Sequence, residues 1–295
     1  MRRKPRSRCD LKWDKSKLFN RLPGALVRAV MVVILVIMPA LILPRGAQDS
    51  FQIVALFAIF AAIFTIVEYS SASPSLVEFR DAPPFNRVRF STLFATVLCL
   101  SVIFRGYVAP SAITEMFQRS GASIGAVIDF PYSPVRLMVL MLPEDAPADL
   151  VQRVRDGAGL SYLVSIFAIV WFILVLRLRQ WPRRDGPFNV WVNLPTFDPA
   201  GGDVVERLER DGRINVILGF LLPFLVPAAL KLFASFGAPV QLDDMHTLLW
   251  MISAWAFLPA SILMRGVALS RVAQMIRRQR KMAYERAASE GLLVV

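Results

Sequence analysis

The chain has 295 residues, 56% of them hydrophobic and only 19% charged, with a net charge of +12. Soluble domains carry roughly 25% charged residues, and here the apolar residues come in helix-length runs broken by Pro, Gly and Arg, so a soluble fold is excluded in favour of a polytopic membrane protein. The basic residues flank those runs, which speaks for anionic lipid and orientation and against nucleic acid; two cysteines, Cys9 in a basic tail and Cys99 in an apolar run, leave no case for a disulfide or a cysteine metal site.

In chain order, residues 1–24 form a basic tail whose Trp13, Leu18 and Phe19 interleave with Lys12, Lys15, Lys17 and Arg21. Such a segment suits an anionic membrane surface, and its length and lack of a small-residue cleavage pattern read as a signal anchor. Leu22-Pro23-Gly24 is expected to break the chain. Spans 1 and 2 follow at 25–43 and 51–69, joined by Pro44–Ser50 as an antiparallel hairpin, with Pro39 expected to kink or end the first. Each is near the ~20 residues a helix needs to cross a bilayer. After the break at Ser70–Pro74 and the basic stretch Ser75–Phe90, span 3 runs over 91–107.

The segment 108–159 is less apolar and holds Glu115, Asp129, Glu144, Asp145, Asp149 and Asp156. Pro143–Pro147 reads as a helix entry. A short helix ending at Gly157 would then carry Asp149, Arg153 and Asp156 on its polar side. Val135–Leu142 is too short to span and fits a strand, an interfacial helix or a re-entrant piece. Span 4 covers 160–176. The loop 177–213 holds Trp181, Phe188, Trp191 and Phe197, and Asp203 with Glu206 suggests a capped helix through Asp211. Span 5 covers 214–236 and span 6 covers 245–269, running into the basic segment 271–295. The fold class is therefore all-α, with a six-helix membrane domain over 25–270 and amphipathic terminal segments.

Charge orients it. With both termini cytoplasmic, the inner pieces carry 26 of the 34 Lys and Arg, the outer pieces six, and Arg28 and Lys231 lie within spans. That is the positive-inside asymmetry, and it points to a multi-pass protein of a plasma membrane, bacterial inner membrane in type.

Three sets of residues are candidate sites. Arg28 and Glu68 lie at nearly equal depth in spans 1 and 2 and are expected to pair, either as a clamp between the helices or as a relay or counter-charge. Pro223 and Pro259 lie at similar depth in spans 5 and 6, where paired kinks shape the bundle or open a cavity. Asp243, Asp244 and His246 form a weak polar cluster that reads as a helix start, with metal ligation as the sharper alternative. Lys231 reads as a snorkelling lysine.

No nucleotide-binding Gly-rich loop, metalloprotease helix or nucleophile elbow is present in the sequence. No catalytic residue, cofactor or metal is assigned. The expected function is that of a non-enzymatic inner-membrane protein, an accessory, assembly or scaffolding subunit whose partners are anionic lipid and other membrane-protein subunits. A transporter for a small or lipidic solute is the alternative, and a lipid-modifying enzyme using the Asp243–His246 cluster the third option.

Overall fold

Each apolar run becomes a helix because no polar partner within a bilayer could satisfy an extended backbone. A computed structural model describes residues 15–44, 48–71, 77–80, 83–178, 181, 203–236 and 244–290, without the side chains of 15–21 and 48–50. It contains α1 (Lys15–Ile42), α2 (Gln48–Ser70), α3 (Phe85–Gly106), α4 (Ala112–Ile128), α5 (Pro134–Leu140), α6 (Ala148–Leu178), α7 (Val204–Ser235) and α8 (Met245–Ser289), with no strand among the described residues. Six of them, α1, α2, α3, α6, α7 and α8, are long and apolar enough to span a membrane, one for each apolar run of the sequence.

The helices outrun the expected spans. α8 has 45 residues, so at 1.5 Å per residue it extends about 68 Å, more than twice a hydrocarbon core. Its buried residues end at Ala273, ion pairs from Arg277 and Arg280 to Glu209 and Asp203 keep it beside α7, and beyond them it projects from the bundle. α6 and α7 each fuse two elements that the sequence suggests separately. Gly157 does not end a helix, because it is packed deep inside α6 between Leu100 and Ile252. Asp156 is accordingly buried and not on a polar face. Asp203 does cap α7, accepting from the Val205 N–H at 3.2 Å, yet the helix passes Asp211 without a break. Pro23 likewise lies inside α1, where the expected break before span 1 does not occur. Pro39 also sits within α1, and the Leu43 N–H still reaches its carbonyl at 2.8 Å.

The 108–159 segment folds into two helices and the start of a third. α4 begins with a reciprocal cap between Ser111 and Thr114. The short α5 starts at Pro134 behind the Ser133 cap, which resolves the Val135–Leu142 stretch as helix. Small residues bring α4 onto α6: a Cβ at Gly159 would lie 2.6 Å from the Gly125 Cα.

α7 and α8 form the tightest antiparallel pair. Gly212 lies against Gly266 and Ser270, and seven residues along each helix Gly219 lies against the Pro259 carbonyl and Leu263. One turn further, the Trp255 indole N–H donates to the Pro223 carbonyl at 3.0 Å. That carbonyl lacks its usual helical donor because residue 227 is also proline. Pro223 and Pro259 are thus both buried in a filled seam.

Two apolar cores result. One gathers α1, α3, α5, α6 and α8 around Leu100, Phe104, Met138 and Ile252. The other lies at the end of the bundle from which α8 projects, around Phe79, Phe85, Phe172, Trp181 and Met264.

Candidate functional site

The second core is covered by the chain between α2 and α3, and here the polar residues converge. Phe79 is 1% exposed, and its ring lies 4.8 Å from Phe85 and 5.9 Å from Trp181. Its φ is 54°, a left-handed conformation in a bulky L-residue, which costs about 1–2 kcal/mol. The turn sends its two neighbours to opposite partners. Glu78 accepts two hydrogen bonds from Arg265 on α8, at 2.6 and 2.8 Å. Arg80 donates to the Glu68 and Ser71 carbonyls at the end of α2, at 3.0 and 2.7 Å. The Glu68 carboxylate, itself buried, accepts from the Val77 N–H at 2.9 Å. Asn86 donates to the Glu78 carbonyl at 2.8 Å, and Arg89 stacks 5.1 Å over the Phe85 ring with its charge near Glu78 and Arg265. This constellation is a clasp that ties the end of α2 to α8.

Arg28 and Glu68 are not joined as the sequence suggests. Arg28 is on an exposed face of α1. It folds back to donate to the Gly24 carbonyl at 2.7 Å and lies 4.6 Å over the Tyr69 ring. Among the described residues its ion pairs do not include Glu68. The contact between α1 and α2 at this level is therefore a cation on an aromatic face, one residue along from the expected carboxylate. The Glu68 carboxylate is instead turned into the clasp, where one of its oxygens accepts from the Val77 N–H.

Asp244 caps α8, accepting from the Thr247 N–H at 2.7 Å and the Thr247 hydroxyl at 2.8 Å. Partial burial pushes its pKa up, but the two Thr247 bonds and the nearby His246 outweigh it and hold the carboxyl below its ordinary value. Asp243 lies outside the described residues, as do Trp191, Phe188 and Phe197. No group of three His, Cys, Asp or Glu that could hold a metal occurs among the described residues. Lys231 does more than snorkel: its Nζ donates to the Leu140 carbonyl at the end of α5, 2.7 Å away. Arg105 serves the end of α1 in the same way, reaching the Ile42 carbonyl at 2.6 Å.

Sequence reasoning missed Glu78 and Phe79. The available signal was an acid and an aromatic in a stretch otherwise marked by Arg80, Arg87 and Arg89. Among the described residues the clasp's hydrogen bonds join the end of α2 to the turn at Phe79 and that turn to α8. Comparison of the chain with family models, with curated proteins and with solved structures finds no match.

Proposed function

We propose that the protein is a non-enzymatic accessory or scaffolding subunit of a membrane complex, and that α2 is the helix its partner docks on. One observation carries the reading. Among the described residues α1 is the only helix against which α2 packs substantially, and just 11% of the α2 span is buried by them, against 56% for that of α8. Phe51, Phe57, Phe60 and Phe64 stand exposed along it. Lipid satisfies an apolar face, but helices associate in membranes through packing. An aromatic helix held by one neighbour and clasped at its end is a rigid arm with most of its circumference open.

The test is native purification from the source membrane, with and without Phe57→Ala/Phe60→Ala/Phe64→Ala. The wild type should migrate with a second subunit at fixed stoichiometry, and the triple variant should lose that subunit while its own yield is kept. A wild type that purifies as a lone monomer sinks the reading.

The transporter alternative draws on buried Glu68. It requires Glu68→Gln to abolish solute uptake at unchanged protein level, whereas a structural carboxylate lowers the protein level instead.

A further inference from the structure

α6 and α7 both lean on α8 without packing substantially on each other. A groove of about 480 Å³ is left between them at the end of the bundle where α8 projects. Its volume falls in the ~300–1,000 Å³ range of ligand sites. The groove is graded. Ile173 of α6, Val216 of α7 and Val267 of α8 make it apolar. Ser270, Arg271 and Gln274, on the same stripe of α8 one and two turns further on, make it polar, and Arg177 joins them from the last turn of α6.

Its cations are unspent. Arg177 is exposed and has no ion pair or hydrogen bond among the described residues. Arg271 is aimed by one bond, from Nε to the Trp181 carbonyl at 3.1 Å, and its other guanidinium nitrogens make none to the described residues. Among the described residues no carboxylate lines the groove. Of the α7 acids, Glu209 is paired with Arg277 at 2.7 Å and Asp211 bears on Arg265. Guanidinium groups present planar donor pairs that match a phosphate.

From this we infer that the groove binds one anionic glycerophospholipid, its phosphate between Arg177 and Arg271 and its acyl chain along Ile173, Val216 and Val267. The gradient from apolar wall to unpaired cation matches an amphiphile and not a free anion. This site is separate from the exposed α2 surface, so the two proposals fail independently.

The experiment titrates the full-length protein in a neutral detergent with phosphatidylglycerol or phosphatidylcholine of identical acyl chains, read by native mass spectrometry. A basic residue near an anionic membrane contributes about fivefold in affinity. Phosphatidylglycerol should therefore bind about 25-fold tighter than phosphatidylcholine. Arg177→Gln should remove about fivefold of that, and Arg177→Lys should retain most of it. Arg177 touches nothing that folding needs, so its variants carry the test even if Arg271→Gln, which frees the Trp181 carbonyl, is unstable. Equal binding of the two lipids overturns the inference. An unchanged Arg177→Gln also overturns it. Full displacement of phosphatidylglycerol by millimolar inorganic phosphate would assign the cations to free phosphate and not to lipid.

Discussion

Glu78→Gln removes the charge that the clasp is built on. In the wild type, two charge-assisted hydrogen bonds at 2.6 and 2.8 Å hold Arg265. Each such bond contributes about 1.5–3 kcal/mol. The side chains are 26% exposed for Arg265 and 11% for Glu78, so water compensates part of the loss, but not most of it. Arg89 adds to the penalty, because its charge also lies near Glu78 and would then face Arg265 alone. Breaking a buried pair by removing one partner costs about 3–5 kcal/mol; discounted for the partial exposure, Glu78→Gln should cost about 2–4 kcal/mol. Replacing both partners should be milder than the sum of the two single losses, since Glu78→Gln/Arg265→Met leaves neither member of the pair facing a missing partner. The assay is reversible unfolding in mixed micelles, run as a double-mutant cycle. A loss below about 0.5 kcal/mol for Glu78→Gln, the level of an exposed pair, refutes the clasp. So does a double variant that is simply the sum of the two single losses.

Two further outcomes follow from the packing and the caps. Gly266→Ala places a Cβ 2.6 Å from the Gly212 carbonyl oxygen and 2.8 Å from the Val216 backbone nitrogen, which cannot move without parting α7 from α8. It should destabilise by about 1–3 kcal/mol in the same unfolding assay, whereas Gly106→Ala, whose Cβ meets only the Gln118 side chain, should cost less. Asp203 is held below its ordinary value by the Arg280 hydrogen bond and the Val205 N–H. A carboxyl depressed in the folded state stabilises above its unfolded pKa and ceases to do so as pH falls through the folded one. The Asp203–Arg280 contact should therefore persist at pH 5 and open only below the ordinary carboxylate range, followed by the Asp203 carboxyl resonance; opening between pH 5 and 7 contradicts the assignment.

The six spans were legible because bilayer thickness acts on every apolar run alike, and a window of about 20 residues captures it. Helix ends were not. Pro23, Gly157 and Asp211 look like breaks to any local rule, but each lies inside a helix. Gly157 is held there by contacts with Leu100 and Ile252, which come from other helices. The expected Arg28–Glu68 pair had the right depth and the right two helices. Depth counting cannot tell which neighbour a carboxylate faces, and Glu68 faces the Val77 amide. Glu78 and Arg265 lie 187 residues apart, so nothing local marks them as partners. Asp244 as a helix start was visible, because a cap is written within three residues.

The two ends of the bundle differ in what their arginines are attached to. At the end of the bundle read as outer, Arg119 pairs with Glu115, Arg136 with Asp129, Arg153 with Asp149 and Arg155 with Asp156, while Arg105 caps α1. At the opposite end Arg265, Arg277, Arg280 and Lys281 are paired with Glu78, Glu209, Asp203 and Glu285, while Arg87, Arg177, Arg210, Arg213 and Arg278 are exposed and have no acidic partner among the described residues. Among the described residues the exposed arginines without an acidic partner therefore gather at the Arg177 and Arg278 end. An anionic inner leaflet attracts uncompensated cations, and we propose on that ground that the Arg177 and Arg278 end, and with it the projecting part of α8, is cytoplasmic. In a variant freed of Cys9 and Cys99, Ser123→Cys on α4 should react with a membrane-impermeant maleimide in intact cells. Ala283→Cys on α8 should react only after lysis. The reverse pattern would mean that paired arginines still count in full, and that the unpaired ones do not set the orientation.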